Sequence, residues 1–503
     1  VPDILDLHAQ ANPDKIAVIQ DDDSWTYAEH NARANAFARG IQALGINAGD
    51  RGVWVGPNHE MIVLWTHAAR KARLISVPLS YRFTKDEAAY ILTNSDCTIV
   101  FCDPDYRAMI EEINAPNVRA IVDYAGAEGL IANNSSEPLE ELATVDSTGA
   151  SMIYTSGTTG KPKGAVRSGN DPALVGILVA AIRYTPDDVH ITTGPLYHSG
   201  PGGFAGLTHA LGGTVVILPK FDPERWLQLV DEHKVNTTFT APTQLKRIVN
   251  QPEDVRNRYD VSSLRSVIAN AAPVPFALKK QWIETFGEGH LFEVYGSTEL
   301  GVDTIIAPED QLRKPGSCGK PYGPLEIKLI QENGTEAPIG EPGEMWIKSP
   351  AVFDEYYKAP EKTEETKLED DPAWRTVGDI AYKDEEGFYY ICDRRNDMII
   401  SGGMNIYPAE VEAVLHSHPS VMDAGVIGIP NEEWGEQVHA IVQLKTGKQA
   451  TADELGALCR DHLAGYKVPR SFEFRDGLPR TESGKLLKRK LRDEFWRDAK
   501  QRV

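Results

Sequence analysis

The chain has 503 residues, 41% of them hydrophobic and 25% charged, which suits a folded protein of more than one core and not a disordered or repetitive one. Its 73 Asp and Glu outnumber its 52 Lys and Arg, for a formal net charge of -21. That argues against nonspecific binding to nucleic acid or anionic lipid, so any anion must be held at a local site.

Val1 to Lys15 shows no basic segment followed by an apolar one, and no window of the chain approaches 18 uninterrupted apolar residues. The expectation is a protein neither exported nor membrane-spanning. Cys97, Cys102, Cys318, Cys392 and Cys459 form no CxxC pair; an odd, scattered set reads as reduced thiols in a cytoplasmic setting, with none marked as a nucleophile.

From Gly52 the pattern alternates strand (Gly52 to Val55), helix (His59 to Lys71), strand (Ile75 to Leu79), helix (Lys85 to Asn94) and strand (Cys97 to Cys102). Such alternation predicts a parallel sheet faced by helices. The apolar run Ala173 to Ile182 predicts a buried helix. A second α/β series runs from Val189 to Val294, with strands at Val215 to Leu218, Thr237 to Thr240 and Ser266 to Ala269, and helices at Pro223 to His233 and Pro275 to Phe286. After Ser317 the turns Gly323-Pro324, Asn333-Gly334 and Pro342-Gly343 point to a smaller β-rich unit. The last hundred residues predict a compact α+β domain: helix Pro408 to His416, strands Ala424 to Ile429 and His439 to Leu444, and helix Ala452 to Leu463. Its boundary is placed at the charged turn Asp393 to Asp397, giving domains 1–395 and 396–503.

Five motifs carry the chemistry. Tyr154 to Gly164 packs Thr155, Ser156, Gly157, Thr158, Thr159, Gly160 and Lys163 into one stretch. Hydroxyls, glycines and lysines at this density offer O–H and N–H donors and positive charge to a polyphosphate. It is not a Walker A loop, because Pro162 follows Gly160-Lys161 and Thr155 stands where that motif's first glycine belongs. Further on come Tyr295-Gly296-Ser297-Thr298-Glu299, then Trp374-Arg375-Thr376-Val377-Gly378-Asp379 with Asp393-Arg394, then Ser401 to Glu410 with Gly402 and Gly403, and last Pro479 to Lys485. Gly402 and Gly403 allow backbone to run close to a narrow ligand. Two softer segments are Pro195 to Gly203 and Asn270-Ala271-Ala272-Pro273.

In this order the motifs resemble those of the adenylate-forming superfamily: acyl-CoA synthetases, coumarate-type ligases, beetle luciferases and peptide-synthetase adenylation domains. The resemblance implies a large N-terminal domain with two α/β subdomains and a β-rich one, plus a small mobile α+β C-terminal domain. It implies that Tyr295 stacks on adenine beside Gly296, Ser297, Ala271, Ala272 and Pro273, that Thr298 reaches the α-phosphate, and that Glu299 binds Mg²⁺. Asp379 and Arg394 take the ribose, with Val377 where the family has threonine. Gly402 and Gly403 line a pantetheine tunnel, and Lys485 bridges the carboxylate nucleophile and the α-phosphate. His198 gates an acyl pocket formed with Ser199, Gly200, Gly203 and Asn270, and Asn396 occupies the hinge position where the family has Lys or Asp.

The expected activity is ATP-dependent adenylation of a bulky apolar acid (aryl, medium- to long-chain or polycyclic), followed by thioester formation with coenzyme A. Small residues after His198 favour such an acid over acetate. Two rivals are an adenylating enzyme that passes the acyl group to an amine or carrier-protein thiol, and a nucleotide-binding sensor without turnover; retention of Lys485, Glu299 and Asp379 together argues against the sensor. Oligomeric state is left open.

Overall fold

The computed structural model describes residues 3–139, 150–155, 161–169, 171–395, 397–402, 404–480 and 486–496. A seven-stranded sheet carries the first predicted series. Its parallel strands Arg51–Val55, Ile75–Leu79, Cys97–Cys102 and Ala120–Val122 are extended by Ser151–Thr155, also parallel, and then by the antiparallel strands Lys163–Arg167 and Glu355–Tyr356. All six residues of Cys97–Cys102 are buried, as expected of a parallel strand covered on both faces. The flanking helix Lys85–Asn94 starts at a capping box in which Thr84 and Glu87 satisfy each other's backbone N–H.

A nine-stranded sheet carries the second series. Thr214–Ile217, Val189–Ile191, Thr237–Thr240, Ser266–Ala269 and Leu291–Ser297 run parallel, and Gly301–Ile306 turns back antiparallel. The sheet is larger than the sequence pattern indicated, because the N-terminal strand Ile16–Gln20 joins it in parallel beside Thr214–Ile217. The helix Tyr27–Ala43 is likewise absent from the sequence reading. Its buried face holds His30, Asn31 and Asn35 among alanines, which blurs the apolar period that reveals a helix.

One core joins the two sheets: Trp54, Trp65 and Phe101 from one side pack with Val18, Val215 and Ile217 from the other, and Leu196 and Ala205 belong to the same cluster. Asn58 stitches the seam, its amide donating to the carbonyls of Gly194 (3.0 Å) and Leu218 (3.2 Å) and accepting from Leu196 N–H (2.9 Å). This fixes the turn that leads to His198. The β-rich unit is an antiparallel sheet of Glu326–Ile330, Gly343–Lys348, Asp379–Lys383 and Tyr389–Arg394.

Beyond it lies a five-stranded sheet built on the long hairpin Val421–Asn431 and Gly435–Leu444, with Ser471–Phe474 parallel to the latter. Both hairpin strands are longer than predicted. Pro408 opens the helix Pro408–Ser417 at its first turn, where its missing N–H costs nothing. This unit meets the β-rich one through Asp393, which accepts from Ala409 N–H (3.0 Å) and pairs with Lys488 (3.1 Å), and Lys488 also pairs with Glu412 (3.1 Å).

Candidate active site

Strand ends from three sheets meet around one cavity of about 1540 Å³. The Leu291–Ser297 strand delivers the residues Tyr295 to Glu299, and its register shifts between Tyr295 and Gly296 as it turns into Gly301–Ile306. Only glycine fits at 296, since a Cβ there would lie 1.9 Å from the Gly301 carbonyl oxygen. Gly296, Ser297, Thr298 and Glu299 line the cavity. Ser199 and Thr298 hydroxyls are hydrogen-bonded at 3.1 Å.

Glu299 is 8% exposed. Its Oε1 accepts from Thr155 Oγ1 (3.0 Å) and Tyr356 O–H (2.7 Å), and it makes no ion pair with a Lys or Arg among the described residues. Lys163, at the start of strand Lys163–Arg167, places Nζ 5.0 Å from the Tyr356 ring centroid; burial first, then the neighbouring Lys362, lowers its pKa. Ser156 to Gly160 lie outside the described residues, as do Gly403, Asn396 and Lys485.

Tyr295 and Asp379 meet through a short hydrogen bond from the tyrosine hydroxyl to the Asp379 carboxylate. Arg394 Nε stands 3.2 Å from the other carboxylate oxygen. Burial disfavours the Arg394 cation, yet Asp379, with Tyr295, Asp397 and Glu299 nearby, holds its pKa above the ordinary value. Burial, then Asp379, pushes the Tyr295 phenol well above its usual range. Gly378, at φ +79°, turns the chain just before Asp379. The hydroxyl there comes from Thr376 and not from residue 377. It accepts from Gly378 N–H (2.9 Å) and donates to Glu344 (3.0 Å), and it faces the cavity. The sequence reading missed Thr376 by weighing only Val377, although its hydroxyl is one residue away.

Asn270 and Ala271 line the cavity; Ala272, Pro273, Tyr295 and Asp379 are not among its lining residues. Ala271 has φ +74°, a left-handed conformation costing a non-glycine residue about 1–2 kcal/mol. Asn270 compensates, donating from Nδ2 to Val294 O (2.5 Å) and accepting from Ala271 N–H. Gly402, at φ +58°, is not among the residues lining the cavity; its N–H donates to the Trp434 carbonyl (2.8 Å), and the Trp434 ring lies 2.6 Å from where a Cβ would be.

His198 is the N-cap of helix Ser199–Leu211 without a side-chain capping bond. Burial, then Arg82, lowers its pKa to about 4, and its Nε2 finds no partner among the described residues. The small residues after it differ in purpose. Gly200 lines the cavity, but a Cβ there would strike the Phe239 ring at 2.3 Å, so its lack of a side chain also serves packing. A Cβ on Gly203 or Gly206 would meet nothing within 4 Å. The cavity follows this helix to Ala210, where Val63, His67 and Arg70 of helix Glu60–Lys71 face it. Cys97, Cys102 and Cys318 are buried and their thiols pushed up to about 12, which leaves them unreactive.

Residues 5–357 match the family model "AMP-binding enzyme", and residues 410–485 match "AMP-binding enzyme C-terminal domain". The chain is 34% identical over 494 residues to a feruloyl-CoA synthase of Amycolatopsis sp, covering 97% of each chain. It is 32% identical over 508 residues to a fatty acid–[acyl-carrier-protein] ligase of Streptomyces coeruleorubidus, covering 99% of this chain and 96% of that one. Among solved structures, o-succinylbenzoate CoA synthetase from Bacillus subtilis in complex with its acyl-adenylate intermediate superposes with TM-score 0.86 at 32% identity, over 98% of each chain.

Proposed function

Because the chain belongs to the AMP-binding enzyme family, we propose that it is an AMP-forming ligase that joins a bulky, largely apolar carboxylic acid to coenzyme A. The observation that carries this reading is the single cavity running from Glu299, Thr298 and Arg394 into the apolar space along helix Ser199–Leu211. It seats a nucleotide and an acyl group end to end, with the reacting atoms at Thr298.

In the first step a carboxylate oxygen of the acid attacks the α-phosphorus of ATP, forming the mixed anhydride as the bond to pyrophosphate breaks. Thr298 O–H donates to the α-phosphate, Asp379 accepts from the ribose hydroxyls beside Arg394, and Lys485 offsets the charge of nucleophile and phosphate. Glu299 suits Mg²⁺: it is a buried carboxylate whose only side-chain donors among the described residues are two neutral hydroxyls, so its charge is left for a hard cation. When bound there, Mg²⁺ supplies charge neutralisation to the polyphosphate. His198 is neutral at physiological pH and puts no charge beside the incoming carboxylate.

In the second step the thiol of coenzyme A attacks the acyl carbon, and AMP leaves as the thiol proton is lost. Both steps use one pocket, so the C-terminal unit, 396–503, is assigned a swing about Asn396 that brings the Gly402-Gly403 face to the acyl-AMP. Among the described residues no helix is long and apolar enough to cross a membrane, and the free cysteines support a reducing, cytoplasmic setting.

The test is ATP–pyrophosphate exchange across a panel of aryl, straight-chain and polycyclic acids, followed by coenzyme A, amines and a carrier-protein thiol as acceptors. Exchange with larger apolar acids and thioester formation with coenzyme A are expected. Exchange with acetate alone would overturn the acid class, amide formation alone would overturn the acceptor, and nucleotide binding without exchange would leave a sensor.

A further inference from the structure

The Lys163–Arg167 strand, which returns from the phosphate loop, is held by a short segment far along the chain. Glu355 and Tyr356 pair with it antiparallel, Tyr356 opposite Ala165 and Glu355 opposite Val166. Backbone bonds from Asp354 N–H to Val166 O (2.9 Å) and from Tyr357 N–H to Gly164 O (2.8 Å) extend the contact. The same segment grips the Thr298–Glu299 turn. Phe353 N–H donates to Glu299 O (2.7 Å), and Tyr356 O–H donates to Glu299 Oε1 (2.7 Å). Arg167 closes the frame, with Nε on the Thr298 carbonyl (2.9 Å) and Nη1 on the Ala351 carbonyl (2.6 Å).

We propose that Tyr356 and Arg167 are positioning residues that lock the Thr298–Glu299 turn in register with the phosphate loop, so that Glu299 offers Oε2 to the cation at a fixed distance from the polyphosphate. Two hydroxyl donors on Oε1, from Thr155 and Tyr356, remove the carboxylate's freedom to rotate and leave the other oxygen as the ligand. Arg167 does for the backbone what Tyr356 does for the side chain: one guanidinium binds the carbonyl at the turn and the carbonyl at the start of the bracing segment, a span a lysine ammonium cannot copy. Partners of this kind around a metal carboxylate set affinity by orientation. The inference rests on the reading of Glu299 as the Mg²⁺ carboxylate.

Tyr356→Phe isolates the hydroxyl, since the ring keeps its contact with Phe353 (4.7 Å between centroids) and with Lys163. The measurement is calorimetric titration of ATP without acid, once with MgCl₂ and once with EDTA, on wild type, Tyr356→Phe and Arg167→Lys. The expected result is that Mg²⁺ tightens ATP binding to wild type, that this gain shrinks by roughly tenfold or more in both variants, and that their affinity in EDTA stays at the wild-type value. A gain undiminished in Tyr356→Phe, or an equal loss with and without Mg²⁺, would overturn the proposal while leaving the metal reading intact. No Mg²⁺ gain in wild type would overturn the metal reading and the proposal with it.

Discussion

Filling the open side of helix Ser199–Leu211 tests how the acyl group uses the cavity. A Cβ at Gly203 or Gly206, both lining the cavity, meets nothing within 4 Å, so a leucine there is expected to take up cavity space. At about 1.5 Å of rise per residue, position 203 lies about 6 Å and position 206 about 10 Å along the axis from Ser199. Ser199 marks the end proposed to hold the reacting atoms by its bond to Thr298 (3.1 Å). Each methylene shut out of the cavity forfeits about 0.8 kcal/mol, or close to fourfold in kcat/KM. Gly203→Leu, if it excludes four methylenes of a long acid, therefore costs about 3 kcal/mol, roughly 200-fold. Gly206→Leu, blocking further from the reacting end, excludes one or two and costs about 4- to 15-fold. Acids that end before residue 203 keep their wild-type rate with both variants. Replacing a helix-interior glycine gains about 0.8–1 kcal/mol of helix propensity, so the melting temperature should hold or rise as long acids are lost. The assay is pyrophosphate exchange over a homologous series of acids. Equal losses for short and long acids, or none for any, would show that the acyl group does not run along this helix.

Three further outcomes are expected. Lys485→Ala should slow acyl-AMP formation by roughly 10²–10³, the scale of one preorganised donor, while supplied acyl-AMP is still converted to thioester near the wild-type rate; equal loss in both half-reactions would make the lysine structural. Asn396→Pro, which fixes φ near -65°, should spare one half-reaction and collapse the other at unchanged melting temperature, whereas Asn396→Ala does far less; wild-type rates in both steps for the proline variant would remove Asn396 as the pivot. Burial holds His30 and His67 well below the ordinary histidine value of 6.5, His190 at about 3, and His198 and His209 at about 4. These side chains are neutral in the fold and take up protons on unfolding, so stability is full above pH 6.5 and falls as pH drops toward 4, each contributing up to about 1.4 kcal/mol per pH unit. A urea midpoint that stays flat from pH 7 to 4.5 would contradict it.

What could be read from the sequence, and what could not, divides along a physical line. The Cys97–Cys102 strand was legible because a strand covered on both faces is a continuous apolar run. The parallel pairing of Ile16–Gln20 with Thr214–Ile217 was not, since nothing local specifies a partner two hundred residues away. Gly200 and Gly203 look alike in the sequence and both line the cavity, yet a Cβ is barred at 200 by the Phe239 ring and meets nothing at 203. Only the packing tells them apart.

The same line runs through the site. Residues proposed to touch substrate sit in dense motifs at strand ends, where hydroxyls, glycines and charges crowd together and stand out from any structural use. Arg167 and Tyr356 carry no motif, and Thr376 lies in one without its role being legible, because their partners are chosen by tertiary pairing: Gly378 N–H and Glu344 for Thr376, two carbonyls for Arg167, and Glu299 for Tyr356. Glu355–Tyr356 is a strand of two residues, too short to show any period. It exists because Lys163–Arg167 offers an edge for it to pair with. A positioning role of this sort is thus set by the fold that the motifs create, and becomes visible only once that fold is built.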